Sequence, residues 1–438
     1  MGVRIMAVHE AAGASTPGQA NLRDHSVILG LGYVGLPLAQ QAVRSGVKVV
    51  GLDLSERVVN GLNAGRSHVD DLSSADIDEM REKGFSATTD PSVIVDADTV
   101  VICVPTPLSD DGGPDLSAVQ SAAETVGDHL RSGTLVVLES TTYPGTTDEF
   151  MRPILESRSG LVAGRDFSLA FSPERIDPGR QDFGVKNTPK VVGGFSPECT
   201  RQATKFYSRF IDTVVEARGT REAEMAKLLE NTYRHVNIAM VNEMAQFCHE
   251  LDIDLWNVIE LAKTKPFGFQ AFYPGPGVGG HCIPIDPNYL SHRVKQRLGY
   301  PFRFVELAQE INASMPNYVA QRAQNLLNAD KLAINGATVL LLGVTYKANI
   351  GDQRQSPAVP LAKRLQHLGA QVVFHDPHVE QWNVTGVTKA DPDPIAAAAA
   401  ADLVILVQNH REYDVDALEA ASTRFLDTRG VPGSSSRL

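Results

Sequence analysis

A chain of 438 residues is too long for one ordinary hydrophobic core and calls for two or three domains. Its 43% apolar and 21% charged residues are the composition of a soluble globular protein. The net charge of -12 excludes a general nucleic-acid binder, but not a local cationic pocket for a small phosphorylated ligand. There is no run of about 18 apolar residues, so no membrane span is expected. Cys103, Cys199, Cys248 and Cys282 lie far apart with no CxxC pair. That spacing fits reduced thiols in the cytoplasm rather than disulfides or a zinc site, and no metal is expected.

Residues 1–24 lack the apolar centre of a signal peptide and read as a mostly disordered tail. Residues 26–29 (SVIL) form a short strand that runs into Gly30, Gly32 and Gly35, spaced GxGxxG, and then a helix ending near Gly46. A second strand, 47–52, closes with Asp53. The first glycine permits the tight turn, the second lets a pyrophosphate touch the backbone, and the third lets helix and strand pack closely. Asp53 is spaced to take the adenosine ribose hydroxyls and would repel a 2′-phosphate, which favours NAD over NADP. Tyr33 and Val34 within the loop and Arg57 after Asp53 join the candidate cofactor set.

The alternation continues through a strand at 99–104, a helix at 116–130 and a strand at 135–138. Residues just past such strand ends line the ligand crevice, which places Thr106, Ser140 and Thr141 there, although turn and cap chemistry explains them equally well. A strand at 169–171 leads into SPERIDPG and sets Glu174 and Arg175 at another strand end, where Glu174 could also be simply ion-paired.

Residues 221–251 contain no proline or glycine and repeat apolar residues at helical spacing: Met225, Leu228, Leu229, Thr232, Val236, Ala239, Met240 and Met244. They form one long helix between domains. Lys227 and Asn231, four apart, share a face and flank the stripe, so they are either solvated surface or pocket-facing. The stretch PGPGVGGHCIPID (274–286) holds Gly277, Gly279 and Gly280 around Cys282, with Asp286 four residues on and Tyr273 just before. A thiol on such a loop is placed as a nucleophile, though a lone cysteine is as readily a small buried apolar residue.

After residue 326 the αβ pattern restarts, with strands at 338–342, 371–375 and 403–407 and helices at 359–368 and 395–401. Lys347 and Arg354 follow its first strand, where a phosphate can be held. Residues from Arg429 onward read as a frayed tail. The expected fold is α/β, with two Rossmann-like doubly wound parallel sheets joined by a long central helix.

In order, GLGYVGLP, CVPTPL, ESTTYPGTT, SPERIDPG, EAEMAKLLENTY, PGPGVGGHCIPIDP and GVTYKANIGDQRQSP resemble the nucleotide-sugar dehydrogenases over roughly residues 25–430. The resemblance implies NAD as cofactor, a UDP-sugar as substrate and a homodimer packed through its long helices. Its domains would be a tail (1–24), an NAD-binding domain (25–215), a central helical and dimerisation region with the cysteine loop (216–325), a UDP-binding domain (326–430) and a tail (431–438). It implies a four-electron oxidation of the sugar C6 alcohol through a Cys282 thiohemiacetal and thioester. Lys227 and Asn231 would then stabilise the oxyanion, and Lys227 would lower the pKa of the thiol. Asp286 and Thr141 would move protons through a water, and Glu174 would serve thioester hydrolysis. Arg175, Tyr273, Gly277, Gly279, Gly280 and Lys347 would contact substrate, and Arg354 the cofactor. The sequence departs from UDP-glucose enzymes at Pro178, where some have a second glutamate. His281 and Ile285 replace the serine and lysine of their cysteine loop, and Gly351 and Gln355 stand where many relatives have acids. Residues 265–290 look most like enzymes of N-acetylated sugars, UDP-N-acetylglucosamine above all. The C2 epimer UDP-N-acetylmannosamine, UDP-glucose and a non-catalytic NAD or UDP-sugar binder remain as alternatives.

Overall fold

The computed structural model describes residues 5–7, 25–69, 71–109, 113–176, 182–280 and 283–438. The chain divides into two units, Met1–Glu230 and Asn231–Leu438. In the first, the strands are β1 (Ile5–Ala7), β2 (His25–Leu29), β3 (Lys48–Leu52), β4 (Ser86–Thr88), β5 (Thr99–Ile102), β6 (Leu135–Leu138), β7 (Ser168–Phe171), β8 (Lys190–Gly194) and β9 (Thr213–Glu216). Its helices are α1 (Gly35–Arg44), α2 (Glu56–Asn63), α3 (Ser74–Glu82), α4 (Ser117–His129), α5 (Arg152–Ser159) and α6 (Pro197–Tyr207). The sheet order is β1-β9-β8-β7-β6-β5-β2-β3-β4. Neighbours run parallel except β1 against β9 and β7 against β8.

The central strands are apolar on both faces because helices cover both faces of the sheet. Ile28, Val101, Val137 and Ala170 enter one core, and Val27, Val100, Val136 and Leu169 the other. Register does the positioning: Leu29 lies opposite Leu52 and Ile102, Ile102 opposite Leu138, and Leu138 opposite Phe171. The carboxyl ends of five strands therefore align, and Gly30, Asp53, Thr106, Glu139 and Glu174 all follow that one edge.

α7 (Thr220–Glu250) is a single helix of 31 residues that begins in the first unit and ends in the second. The second unit continues with α8 (Leu255–Lys263), α9 (Asp286–Leu298) and α10 (Arg303–Ala329). Its sheet has β10 (Thr338–Leu342), β11 (Gln371–His375), β12 (Thr388–Lys389), β13 (Leu403–Leu406) and β14 (Phe425–Asp427), with α11 (Ala358–His367), α12 (Pro394–Ala400) and α13 (Val415–Ala421) between them. All five strands are parallel, in the order β12-β11-β10-β13-β14.

Two expectations about the ends change. Most of the expected N-terminal tail lies outside the described residues, but Ile5–Ala7 is an edge strand whose backbone pairs with β9. The C-terminal segment, expected to fray, is tied down. The Asp427 carboxylate accepts the amides of Arg429, Gly430 and Val431, and the Asp427 amide donates to Ser436 O. Leu438 is buried, and its carbonyl accepts the Trp256 indole N–H at 2.8 Å.

Candidate active site

The glycine loop of the first unit is shaped for a dinucleotide. Gly30 has φ +92°, and a Cβ there would lie 2.6 Å from Cys103 O. A Cβ on Gly35 would lie 1.9 Å from Gly30 O, so only glycine lets α1 start against the turn. Gly32 differs: a Cβ would meet nothing within 4 Å. Its backbone borders open space at the start of α1, which has no side-chain cap at its Val34 N-cap position. Open backbone beside an uncapped helix N-terminus fits a pyrophosphate. Asp53 is fixed by two amides, Leu31 N–H on Oδ2 and Ser55 N–H on Oδ1, each 2.9 Å. The carboxylate thus keeps lone pairs for ribose hydroxyls in a set orientation. Tyr33 and Arg57 are both exposed on this side of the sequence motif.

Beyond β5 and β6, Thr106 Oγ1 donates to Thr141 O at 2.8 Å, and Ser140 Oγ donates to Val104 O at 2.7 Å. These bonds knit two strand-end loops together. Thr141 contributes its backbone here, whereas the neighbouring Thr142 is buried with a hydroxyl that has no hydrogen-bond partner. Thr142 is a site candidate that the sequence did not single out, and no spacing signal would have done so. The loop ends in a π-helical turn, Thr146–Met151, held by Glu224 of α7. Glu224 accepts Gly145 N–H (2.6 Å), Thr147 N–H (2.9 Å) and Thr147 Oγ1–H (2.7 Å). Burial pushes its pKa up to about 7, although these three bonds oppose the shift.

Glu174 sits just past β7. Its Oε1 accepts the amides of Arg175 (2.7 Å) and Ile176 (2.6 Å), and Lys227 Nζ donates to its backbone carbonyl. Burial raises its pKa, but the Lys190 ammonium, the two amides and Lys227 together outweigh burial and hold the carboxyl below its ordinary range. Arg175 is turned to α7 instead: its guanidinium grips both Glu230 oxygens, at 2.7 and 3.3 Å, and donates to Pro189 O.

In the second unit, Asn231 Nδ2 donates to Asp286 Oδ2 at the start of α9, and both side chains are buried. Cys282 and His281 lie outside the described residues, but the glycines before them are described. A Cβ on Gly279 would lie 2.7 Å from Tyr346 Cβ, and one on Gly280 would lie 2.7 Å from the Tyr346 ring. Gly280 N–H donates to Arg354 O at 3.2 Å. The cysteine loop is thereby docked on the segment that carries Lys347 and Arg354. That segment holds two non-glycine residues at positive φ, Asn349 (65°) and Gln355 (51°), a backbone state that persists where surrounding contacts over-determine it. The Arg354 guanidinium forks onto Asp352 at 2.6 to 3.0 Å. Tyr273 is held on α8, its hydroxyl 2.7 Å from Glu260 and its ring stacked on Trp256.

Lys227 and Asn231 are not solvated surface; they are 8% and 6% exposed. They belong to a ladder of buried polar residues on one face of α7: Glu224, Lys227, Asn231, His235 and Asn242. The expected apolar stripe is split, with Leu228 and Ala239 inside and Leu229 and Met240 outside. Tyr233, Met240 and Phe247, seven apart, are exposed with Leu229. The sequence also passed over Glu139 and Lys190, both buried and 3.0 Å apart.

Comparison with known proteins gives three consecutive family matches. Residues 25–211 match the NAD binding domain of the UDP-glucose/GDP-mannose dehydrogenase family, 221–314 its central domain and 340–432 its UDP binding domain. The chain is 34% identical to UDP-N-acetyl-D-mannosamine dehydrogenase of Salmonella typhi, over 92% of this chain and 98% of the relative. It is 35% identical to UDP-N-acetyl-D-glucosamine 6-dehydrogenase of Pseudomonas aeruginosa, over 88% and 90%. Among solved structures, UDP-D-ManNAc dehydrogenase of Pyrococcus horikoshii superposes with a TM-score of 0.84 at 31% identity, covering 94% of this chain and 98% of that one.

Proposed function

The chain belongs to the UDP-glucose/GDP-mannose dehydrogenase family, and from that premise we propose that it oxidises the C6 alcohol of UDP-N-acetylglucosamine to the carboxylate. It is an NAD-dependent nucleotide-sugar dehydrogenase. NAD, when bound, accepts a hydride in each of two successive oxidations. The loop from Gly30 to Gly35 and Asp53 would hold it.

The observation that carries the residue assignment is the pair of buried polar groups one turn apart on α7, Lys227 at the Glu174 carbonyl and Asn231 at the Asp286 carboxylate. Lys227 and Asn231 are donors for the oxyanion that develops at C6. Asp286 receives protons through a water, and the unpartnered Thr142 hydroxyl is better suited than Thr141 to orient it. The Cys282 thiolate adds to the aldehyde to give a thiohemiacetal, and loss of a second hydride leaves a thioester. Water then adds to the thioester carbonyl and gives its proton to Glu174. The C–S bond breaks, and the thiolate and the uronate separate. The dense glycines of the cysteine loop and its His281 and Ile285 support an N-acetylated substrate. Lys347 and Arg354 would serve UDP and cofactor phosphates. The apolar outer stripe of α7 supports a homodimer.

A second reading, the C2 epimer UDP-N-acetylmannosamine, is favoured by relatives bearing that name in Salmonella typhi and Pyrococcus horikoshii. The test is NADH formed per sugar consumed with UDP-GlcNAc, UDP-ManNAc and UDP-glucose in parallel. Two NADH per UDP-GlcNAc, abolished by Cys282→Ala, are expected. One NADH per sugar would overturn the thioester route, and turnover of UDP-ManNAc alone would replace the substrate.

A further inference from the structure

We propose that Lys190 is the positioning residue for Glu174, a buried ammonium that anchors this carboxylate for thioester hydrolysis and is itself anchored by Glu139 and Tyr207. The inference rests on the role given to Glu174 above.

Backbone register brings the groups together. β8 runs antiparallel to β7, with Ala170 opposite Gly194 and Phe171 opposite Gly193. Continued past the end of β7, that register sets position 190 opposite position 174. Lys190 Nζ lies 3.5 Å from Glu174 Oε2 and 3.0 Å from Glu139 Oε2. The Tyr207 hydroxyl donates to the other Glu139 oxygen, and Lys190 Nζ stands over the Tyr207 ring at 5.4 Å. The Lys190 side chain is 6% exposed and that of Glu139 0%. An ammonium at the first residue of a buried strand costs far more than the valine that would pack there, unless its donors are taken up. Glu139 takes one donor and Glu174 another. Glu174 thus has each oxygen assigned, Oε1 to two amides and Oε2 to Lys190, which leaves the carboxylate one orientation.

The groups facing Glu174 come from every element around it: Lys190 of β8, Lys227 of α7, Glu139 after β6 and Cys103 after β5. Burial lowers the Lys190 pKa, but the two carboxylates outweigh burial and keep it cationic. Burial raises Glu139, with Glu174 adding to the rise. Lys190 is therefore the largest single contribution keeping Glu174 ionised against its burial. A general base must be ionised and aimed, and Lys190 supplies both conditions without touching substrate.

The experiment is single-turnover oxidation of UDP-GlcNAc and UDP-ManNAc with saturating NAD, using the full chain. NADH is followed by absorbance and the covalent acyl-enzyme by intact mass, from pH 5 to 9. For Lys190→Met the expected result is NADH formation at the wild-type rate and slowing of hydrolysis by about 10- to 100-fold. Acyl-enzyme mass would accumulate, and the acidic limb of hydrolysis would move up by about 1–3 pH units, as loss of an adjacent opposite charge requires. Lys190→Arg should restore most of the rate. Glu174→Gln should accumulate the same acyl-enzyme, and adding Lys190→Met to it should slow hydrolysis no further. Should Lys190→Met fail to fold, Lys190→Met combined with Glu139→Gln removes both buried charges and reads the same limb. An unmoved limb, or equal slowing of hydride transfer and hydrolysis, overturns the role of Lys190. Absence of acyl-enzyme in Glu174→Gln overturns instead the role of Glu174 itself.

Discussion

Asn231 donates through its amide nitrogen to the carboxylate of Asp286, and neither side chain is more than 6% exposed. Replacing Asn231 with alanine withdraws a donor from a buried carboxylate, which costs about 1–3 kcal/mol of stability. If Asn231 also faces the oxyanion, kcat falls by roughly 10²- to 10³-fold. Thermal melts and steady-state kinetics separate the two effects. A destabilised variant with unchanged kcat would confine Asn231 to holding Asp286.

The three glycines of the cofactor loop should fail in different ways. Gly35→Ala forces a methyl group to within 1.9 Å of a carbonyl oxygen and should lower stability by at least about 1–3 kcal/mol. Gly32→Ala meets no protein atom, so its melting temperature should stay close to wild type while KM for NAD rises at least about tenfold, roughly 1.4 kcal/mol. An unchanged KM for NAD in Gly32→Ala would place the pyrophosphate elsewhere.

Glu224 sets a pH dependence of stability. Its folded pKa, about 7, lies above the ordinary 4.5, so the folded state holds a proton that the unfolded chain has lost between those values. The contribution is fully present below about pH 4.5 and is lost as pH rises through 7, on the order of 3 kcal/mol in all. Glu224→Gln cannot titrate, so its stability relative to wild type should improve steadily from pH 5 to pH 8. A difference that stays constant with pH, measured by denaturant unfolding, would show that Glu224 remains ionised throughout.

The outward residues of α7 predict association. Tyr233, Met240 and Phe247 repeat every seven positions on the exposed side of the helix, flanked by Leu229. Light scattering should give a dimer for the native chain and a monomer for Tyr233→Glu combined with Met240→Glu. A native chain that is already monomeric would remove the dimer from the proposal.

The strands most legible in sequence were short apolar runs between turn residues. Residues 135–138, 338–342 and 371–375 form strands with the bounds read from the sequence, because a strand buried on both faces has to be apolar throughout. β8 begins with a lysine and ends with two glycines, and α10 carries Pro316 inside it, so neither pattern announces its element. The cofactor loop was legible because its glycines answer local steric demands. Glu139, Lys190, Glu224 and Thr142 were not, because a charged or hydroxyl residue looks like surface until a fold buries it. The alternative that Lys227 and Asn231 were surface failed for the same reason. Arg354 shows the converse: an arginine past a strand end suggests a phosphate, yet Asp352, two residues before it, already holds the guanidinium.

The uninterrupted course of α7 also restricts how this chain can vary. Each residue turns the helix by about 100°. One residue inserted between Lys227 and Asn231 would swing Asn231, His235 and Asn242 off the inner face and carry the outer Tyr233, Met240 and Phe247 around with them. A deletion would do the same in the opposite sense. With no proline or glycine in the helix to absorb such an error, this segment can drift in composition but not in length.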